Sequence, residues 1–294
     1  KGIDREFYLL FSIFDENDSW YLNKNIEAFT GDPSKVDEND ADFKESNKMH
    51  AVNGYLFGNL PGLAMCKGDK VSWHLIGLGS HYDMHGVHFQ GNTIDLRGTT
   101  RDGLALFPHL SGTALMQPDR VGTFKVVCRT FDHFVGGMKH LYEVSSCRNT
   151  TRAQQQRGAM RLYYIAAEEV EWDYASNKSS TPKIYNVSSH EERYQSKECL
   201  KAASITSIFC FNLGPLLHAE VGDSVLIVFK NKASRPYSIS AHGIEEVAAL
   251  GKIVLSVSGE INTYRWNVPE RSGPGKTDPN CITWVYYSTA NFVK

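Results

Sequence analysis

The sequence predicts an all-β protein built from two consecutive β-sandwiches, and three observations support this fold class. Short segments rich in β-branched and aromatic residues recur between turn residues, as at 71–75, 124–128 and 225–229. Turn signals such as Asn53-Gly54 and Pro61-Gly62 follow one another closely, which is typical of sandwiches with Greek-key connections. Helix signals are scarce, and residues 33–43 alone suggest a short acidic helix or loop.

Two domains are expected because 294 residues exceed one small domain. A polar stretch at 148–160 has no apolar periodicity, and strand character resumes at Leu162. The segment 66–71 is also matched by 220–225, which indicates an internal repeat. The sequence therefore predicts one domain over residues 1–150 and a second over 161–294.

The composition excludes some partners and favours one compartment. Lys and Arg number 31 against 33 Asp and Glu, with mixed signs along the chain, so no basic stripe is available for nucleic acid. The apolar runs are shorter than the roughly 20 residues of a membrane helix. Six cysteines and four N-x-[ST] sequons favour a secreted, extracellular glycoprotein. The sequons are at Asn17, Asn149, Asn177 and Asn186.

The strongest chemical signal is a loop that contains Cys128, His133 and Met138 at equal spacing, with Gly136-Gly137 permitting a tight turn. His85 is the best candidate for a second imidazole, because it lies in a predicted strand that could neighbour the strand ending at Cys128. Two imidazoles, one thiolate and a distant thioether form a type 1 (blue) copper site, which transfers electrons.

A simpler interpretation of the same residues also exists. Cys128 could be a buried apolar residue or half of a disulfide, and Met138 could fill the core. His85 and His133 would then be ordinary polar residues. Spacing alone does not decide between the two interpretations.

Longer motifs resemble the ceruloplasmin and hephaestin family of multicopper ferroxidases. They are Phe14-Asp15-Glu16-Asn17-Asp18-Ser19-Trp20-Tyr21-Leu22, the segments 45–54 and 57–63, and the later segments 165–174 and 269–275. The resemblance covers most of the chain and is closest to the hephaestin branch. It implies the fourth and most of the fifth of six tandem cupredoxin domains.

The resemblance implies a set of site residues. The type 1 copper ligands would be His85, Cys128, His133 and Met138, and Fe(II) would bind beside them at Glu45, His50 and Asp132. Related domains have a carboxylate where this chain has His81, which leaves a further iron ligand undecided. The family pattern also joins Cys66 to Cys147 in a disulfide.

The resemblance also indicates what is missing. The family reduces dioxygen at a trinuclear copper cluster held by His-x-His pairs, but this chain has Gln90, Val127 and Arg129 at such positions. Ser240-Ala241-His242 keeps one histidine of a pair and Tyr286-Tyr287-Ser288-Thr289 keeps none. The second domain is therefore expected to bind no copper, and this piece alone is not expected to reduce dioxygen.

The second domain departs from the family pattern at 177–211 and 244–262, and we expect it to be truncated at its C-terminus. Cys281 resembles a half-cystine whose partner would follow residue 294. The pairing of Cys199, Cys210 and Cys281 stays open.

Three functions compete. The first is a ferroxidase component that oxidises Fe(II) and passes electrons through one copper to other domains of a longer protein. The second is a non-catalytic spacer or binding module, and the third is a simple copper electron carrier, which would not need Glu45, His50 and Asp132. Neither nucleic acid nor a membrane is an expected partner of this segment.

Overall fold

The computed structural model describes residues 2–80, 83–147, 158–173, 195–204, 214–247 and 254–290. It divides into two compact units, residues 1–153 with 271–282 and residues 154–270 with 283–294. Strands dominate both units, so the predicted all-β class is confirmed. No helix among the described residues has the length and apolar character needed to cross a membrane.

The first unit is a sandwich of two sheets, which together contain eleven strands. In chain order these are β1 (Arg5–Asp15), β2 (Lys48–Val52), β3 (Ala64–Cys66), β4 (Val71–Gly77), β5 (His85–Phe89), β6 (Ile94–Leu96), β7 (Thr99–Arg101), β8 (Gly103–Leu106), β9 (Ser111–Met116), β10 (Gly122–Cys128) and β11 (Lys139–Ser145). One sheet has the order β2-β1-β4-β9-β6-β7 and the other β3-β11-β10-β5-β8. The non-sequential order means that the chain crosses repeatedly between the sheets.

Alternation of apolar and polar residues produces these strands, because successive side chains point to opposite faces. In β4, Val71, Trp73 and Leu75 are fully buried, whereas Ile76 is exposed. The inner faces of both sheets form one core around Trp73, with Phe89 and Tyr142 contacting its ring.

Short helices occupy the connections of the first unit. They are α1 (Leu22–Phe29), α2 (Ala41–Ser46) and α3 (Phe131–Val135), with 3-10 turns at Glu16–Asp18 and Pro33–Lys35. The predicted acidic helix or loop at 33–43 consists of the 3-10 turn, a loop and the start of α2, and α1 was not predicted. The sequence signal of α1 is weak because Ile26 is its single buried residue and no side chain caps its N-terminus.

The described part of the second unit contains a five-stranded sheet and a strand pair. The sheet has the order β13-β12-β14-β17-β16, and β15 pairs with β18. The strands are β12 (Met160–Asp173), β13 (Gln195–Ser204), β14 (Ser224–Asn231), β15 (Ser240–Ala241), β16 (Glu245–Glu246), β17 (Ile261–Asn267) and β18 (Tyr286–Tyr287). Its core packs around Ile227, Phe229 and Trp266.

The two units share one hydrogen-bonding pattern at the turn before a central strand, which agrees with the internal repeat in the sequence. In the first, β1 runs parallel to β4, and Asp69 accepts a hydrogen bond from the Cys66 amide at 2.8 Å. In the second, β12 runs parallel to β14, and Asp223 accepts one from the Glu220 amide at 2.9 Å. Each buried carboxylate satisfies the turn that begins a central strand.

The disulfide expected from the family resemblance is present between Cys66 and Cys147. It joins the end of β3 to the segment after β11, across a sequence separation of 81 residues. Cys128 and Cys281 are free cysteines of the described part, the first buried and the second exposed.

Residues 271–282 group with the first unit although they follow most of the second in the sequence. Arg271 donates two hydrogen bonds to the Asp119 carboxylate at 2.8 and 2.6 Å. Asp278 accepts from the Thr100 amide at 2.7 Å and from Arg101 at 3.0 Å. Charged hydrogen bonds therefore fix this segment at both ends.

We expect the Cys66→Ser, Cys147→Ser double variant to lose about 4 kcal/mol of unfolding free energy, because the disulfide restricts a long loop of the unfolded chain. Urea unfolding of the first unit, followed by tryptophan fluorescence, would measure the loss. Cys281→Ser is the matched control, since this thiol is exposed and unbridged. Equal stability of the double variant and the control would contradict the prediction.

Candidate metal centre

Two neighbouring strands place the first two candidate ligands. His85 is the first residue of β5 and Cys128 is the last residue of β10, and the two strands pair with Cys128 opposite Val87. The Arg129 amide donates to the Gly86 carbonyl at 2.8 Å, which extends this pairing past the thiol. The predicted neighbourhood of His85 and Cys128 is thus present in the structure.

The loop after β10 supplies the other two candidates. His133 lies within α3, and Met138 directly precedes β11. The Met138 amide donates to the His133 carbonyl at 2.9 Å, and the Cys128 amide donates to the Met138 carbonyl at 2.9 Å. These two hydrogen bonds close the loop, so the spacing of the three residues becomes a fixed arrangement.

Three potential ligand atoms converge inside this loop. The Nδ1 atoms of His85 and His133 are 3.1 Å apart. Cys128 Sγ lies 3.8 Å from His85 Nδ1 and 3.5 Å from His133 Nδ1. All three ligand atoms are within 4.8 Å of one another, and all three residues are buried. Met138 is fully buried in the same core cluster.

Burial sets the protonation of these groups. Desolvation, assisted by the nearby His133 ring, lowers the pKa of His85 to about 4. The imidazole is therefore neutral at pH 7 and keeps a lone pair for a metal. Burial raises the pKa of the Cys128 thiol, so without a positive partner this group stays protonated.

The donor set fits a copper ion. Thiolate and thioether sulfur suit Cu(I), and imidazole suits both oxidation states. The three ligand atoms lie 3.1–3.8 Å from one another, close enough that one metal ion could contact all of them.

Glycines allow the loop to pack tightly. A side chain at Gly136 would meet the His50 ring, with Cδ2 at 2.3 Å from the added Cβ. Gly137 has φ +111°, a conformation that other residues rarely adopt, and faces the Phe57 ring. The absence of a side chain at Gly136 leaves room for His50 beside His133, and the centroids of these two rings are 5.3 Å apart.

The predicted iron ligands are placed near this loop but are not all close together. Glu45 Oε1 lies 3.7 Å from the buried His50 Nε2. Asp132 is exposed beside His133, and in the described residues it does not join Glu45 and His50 in a cluster within 4.8 Å. The Lys48 ammonium contacts Glu45 Oε2 at 2.8 Å and lowers the pKa of Glu45. Glu45 thus lies beside His50, and the Lys48 ammonium offsets the negative charge of the Glu45 carboxylate.

Positions where the family has cluster histidines have other roles here. Gln90 accepts a hydrogen bond from the Tyr142 hydroxyl through its main-chain carbonyl at 2.6 Å. The Val127 side chain is buried. In the second unit, His242 Nε2 lies 2.9 Å from the Tyr287 hydroxyl.

Of the four sequons, Asn17 lies in the described part. Its Nδ2 donates to Asp15 at 2.6 Å and to the Lys44 carbonyl at 2.9 Å, and its Oδ1 accepts from Asn47 at 3.0 Å. An N-linked sugar would replace one of the Nδ2 hydrogens. Asn149, Asn177 and Asn186, together with His81 and Cys210, lie outside the described residues, as does the side chain of Cys199.

Sequence reasoning missed one buried residue close to the ligands. Asp83 is 3% exposed, and its Oδ1 is 4.0 Å from His85 Nε2. It precedes His85 by two residues, so the two side chains share a side of an extended segment. That spacing was the available signal, but it does not reveal that both groups are buried.

Curated proteins match the chain over its full length. Ferroxidase HEPHL1 of Mus musculus is 54% identical over 322 residues, which cover 100% of this chain and 28% of that protein. Hephaestin of Homo sapiens is 44% identical, again with 28% of the relative covered. Ceruloplasmin of Ovis aries is 44% identical with 30% covered. No model of a protein family matches the sequence.

The chain therefore spans less than a third of the length of these relatives. The alignments with these relatives cover the whole chain, so they include the segments that resemble ferroxidases. Over the full chain, the identity is 54% with HEPHL1 and 44% with both hephaestin and ceruloplasmin. Over its full length, the chain is therefore similar to ferroxidase HEPHL1, hephaestin and ceruloplasmin, which are multicopper ferroxidases.

Proposed function

We propose that this chain is the part of a multicopper ferroxidase that holds one type 1 copper and oxidises Fe(II) to Fe(III). The observation that carries the proposal is the buried convergence of His85 Nδ1, His133 Nδ1 and Cys128 Sγ within 3.1–3.8 Å. Electrons would leave for a cluster in other domains of a longer extracellular protein. The relatives named as ferroxidases support this function.

The residues of the chain prepare the site in three ways. The strand pairing of β5 with β10 fixes His85 against Cys128, and the closed loop fixes His133 and Met138. The apolar core excludes water and keeps the His85 imidazole neutral. When bound, a type 1 copper accepts one electron at a time, which is what the oxidation of Fe(II) to Fe(III) requires.

The iron substrate would bind at the outer side of the same loop. Asp132 directly precedes the ligand His133, and the His50 ring packs against the His133 ring. An iron held by Asp132 would thus be a few covalent bonds away from the copper ligand His133. An iron held by His50 would be separated from His133 by one ring contact. His50 Nδ1 is buried and has no hydrogen-bond partner among the described residues.

Glu45 would supply a second carboxylate after releasing Lys48. Their ion pair is partly exposed, with 58% of the Glu45 side chain accessible, so it contributes little stability. An arriving dication can displace the ammonium at small cost. Carboxylates and one imidazole suit Fe(II), and this open ligand set would let the Fe(III) product leave.

We expect the full chain loaded with Cu(II) to turn blue, because a Cu(II)–thiolate bond gives an intense charge-transfer band. Cys128→Ser should abolish the band, since the hydroxyl is not a thiolate. Visible absorption and electron paramagnetic resonance measure the result. Cys281→Ser is the matched control and should stay blue. A folded wild-type chain that remains colourless would refute the copper site and favour the spacer function.

We expect Glu45→Gln and Asp132→Asn to slow bleaching of the blue band by Fe(II) at least about tenfold each, the effect of losing roughly 1.4 kcal/mol. The band itself should persist, because neither residue belongs to the copper ligand set. Stopped-flow absorption measures the rate, and one Fe(III) should form per centre bleached.

Glu27→Gln and Asp42→Asn are the controls for the iron site, since both carboxylates are exposed. Their bleaching rates should equal that of the wild type. If Glu45→Gln and Asp132→Asn also bleach at that rate, iron does not bind there. The chain would then behave as the simple electron carrier.

A further inference from the structure

The face of His85 that points away from the other ligands has an unusual environment. Its Nδ1 faces Cys128 and His133, whereas its Nε2 is buried and has no hydrogen-bond partner within the part of the chain that the structure describes. The side chain is 0% exposed, so this nitrogen is shielded from bulk water. Leaving such a buried group unpaired is unfavourable.

A carboxylate lies next to that nitrogen. Asp83 Oδ1 is 4.0 Å from His85 Nε2, and the aspartate side chain is 4% exposed. Hydrogen bonds between a ring N–H and a carboxylate are about 2.7–2.9 Å long. Bringing the two atoms about 1 Å closer would therefore form the bond.

The carboxylate is itself held on both oxygens. Oδ1 accepts from the Ile13 amide of β1 at 2.9 Å, and Oδ2 accepts from the Ser80 amide at 2.7 Å. The Asp83 amide also donates to the Ser80 carbonyl at 3.0 Å. Asp83 is thus held by hydrogen bonds from the opposite sheet and from Ser80.

The chain makes room for this arrangement at Gly79. A side chain there would place its Cβ 2.1 Å from Asp83 Oδ2, and the residue has φ +126°. Both space and backbone conformation therefore require glycine. Gly79 and Ser80 therefore both lie against the buried Asp83 carboxylate.

We propose that Asp83 is a positioning residue that binds the Nε2–H of His85 and so presents its Nδ1 lone pair to the copper. The inference rests on the copper site proposed above. A ligand histidine commonly donates its other ring N–H to a carboxylate, which fixes its tautomer and raises its basicity. The same negative charge stabilises Cu(II) relative to Cu(I).

The test uses the full chain with Asp83→Ala and Asp83→Asn. In the metal-free chains, nitrogen chemical shifts of His85 report the tautomer. We expect Nε2–H in the wild type, a mixture in Asp83→Ala, and retention of Nε2–H in Asp83→Asn, whose amide oxygen still accepts. This measurement does not depend on copper.

With copper, we expect Asp83→Ala to weaken Cu(II) binding about 10- to 100-fold. Because Cu(I) should be affected less, the reduction potential should rise, by about 59 mV for each tenfold loss specific to Cu(II). Asp83→Asn should shift the potential in the same direction while preserving the tautomer. Competition titration and redox titration of the blue band give both values.

Asp69→Asn is the matched control, because Asp69 is also buried and also satisfies a turn amide. It precedes β4, whereas Asp83 follows it, so about 20 Å of strand separates them. Copper binding and tautomer should be unchanged in this control. If Asp83→Ala fails to fold, Asp83→Asn provides the potential measurement.

The outcomes separate the two proposals. A wild type that binds no copper refutes the proposed function, and the tautomer still tests Asp83. A blue wild type whose tautomer, Cu(II) affinity and potential are unaltered by both Asp83 variants overturns the positioning role alone. A change of the same size in Asp69→Asn would also overturn it, because general loosening would then explain the effect.

Discussion

The closure of one loop on itself is the constraint from which the candidate metal centre follows. The amide of Cys128 binds the carbonyl of Met138, and the amide of Met138 binds the carbonyl of His133. Main-chain hydrogen bonds thus fix the separation of three candidate ligands before any metal is considered. The fourth, His85, is added by strand pairing, which is equally a property of the backbone. Side-chain donors held in this way need little rearrangement when a metal changes its charge.

The surroundings of the loop determine what the donors can do. The core places the thiol and both imidazoles away from water, which disfavours charge on each of them. A metal cation reverses that preference, since it compensates the thiolate and uses both imidazole lone pairs. Glu45 and Asp132, at the exposed side of the same loop, retain their solvation. One short segment therefore separates a dry region suited to electron transfer from a hydrated region suited to a substrate ion.

How much of this could be predicted from sequence depends on the range of the interactions. The strands are a local pattern, which the alternation of apolar residues reveals. The spacing of Cys128, His133 and Met138 is also a local pattern. The disulfide needed the family resemblance, because it does not follow from spacing, whereas His85 was identified as a candidate from its predicted strand. Asp83 and the packing of His50 on Gly136 depend on contacts between segments distant in sequence. The helix α1 escaped prediction since its single buried residue leaves almost no periodic pattern.

The features that the two units share are those that the fold requires, and they differ from the residues that could bind a metal. Both begin a central strand with a buried aspartate that binds an amide three residues earlier, and both align that strand in parallel with the first strand of the unit. These features satisfy buried backbone groups, so the fold needs them whether or not a metal binds. The side chains of His85, Cys128 and His133 take no part in these backbone hydrogen bonds, so the scaffold does not require them. A metal centre of this kind can therefore differ between repeated units while the scaffold around it stays the same.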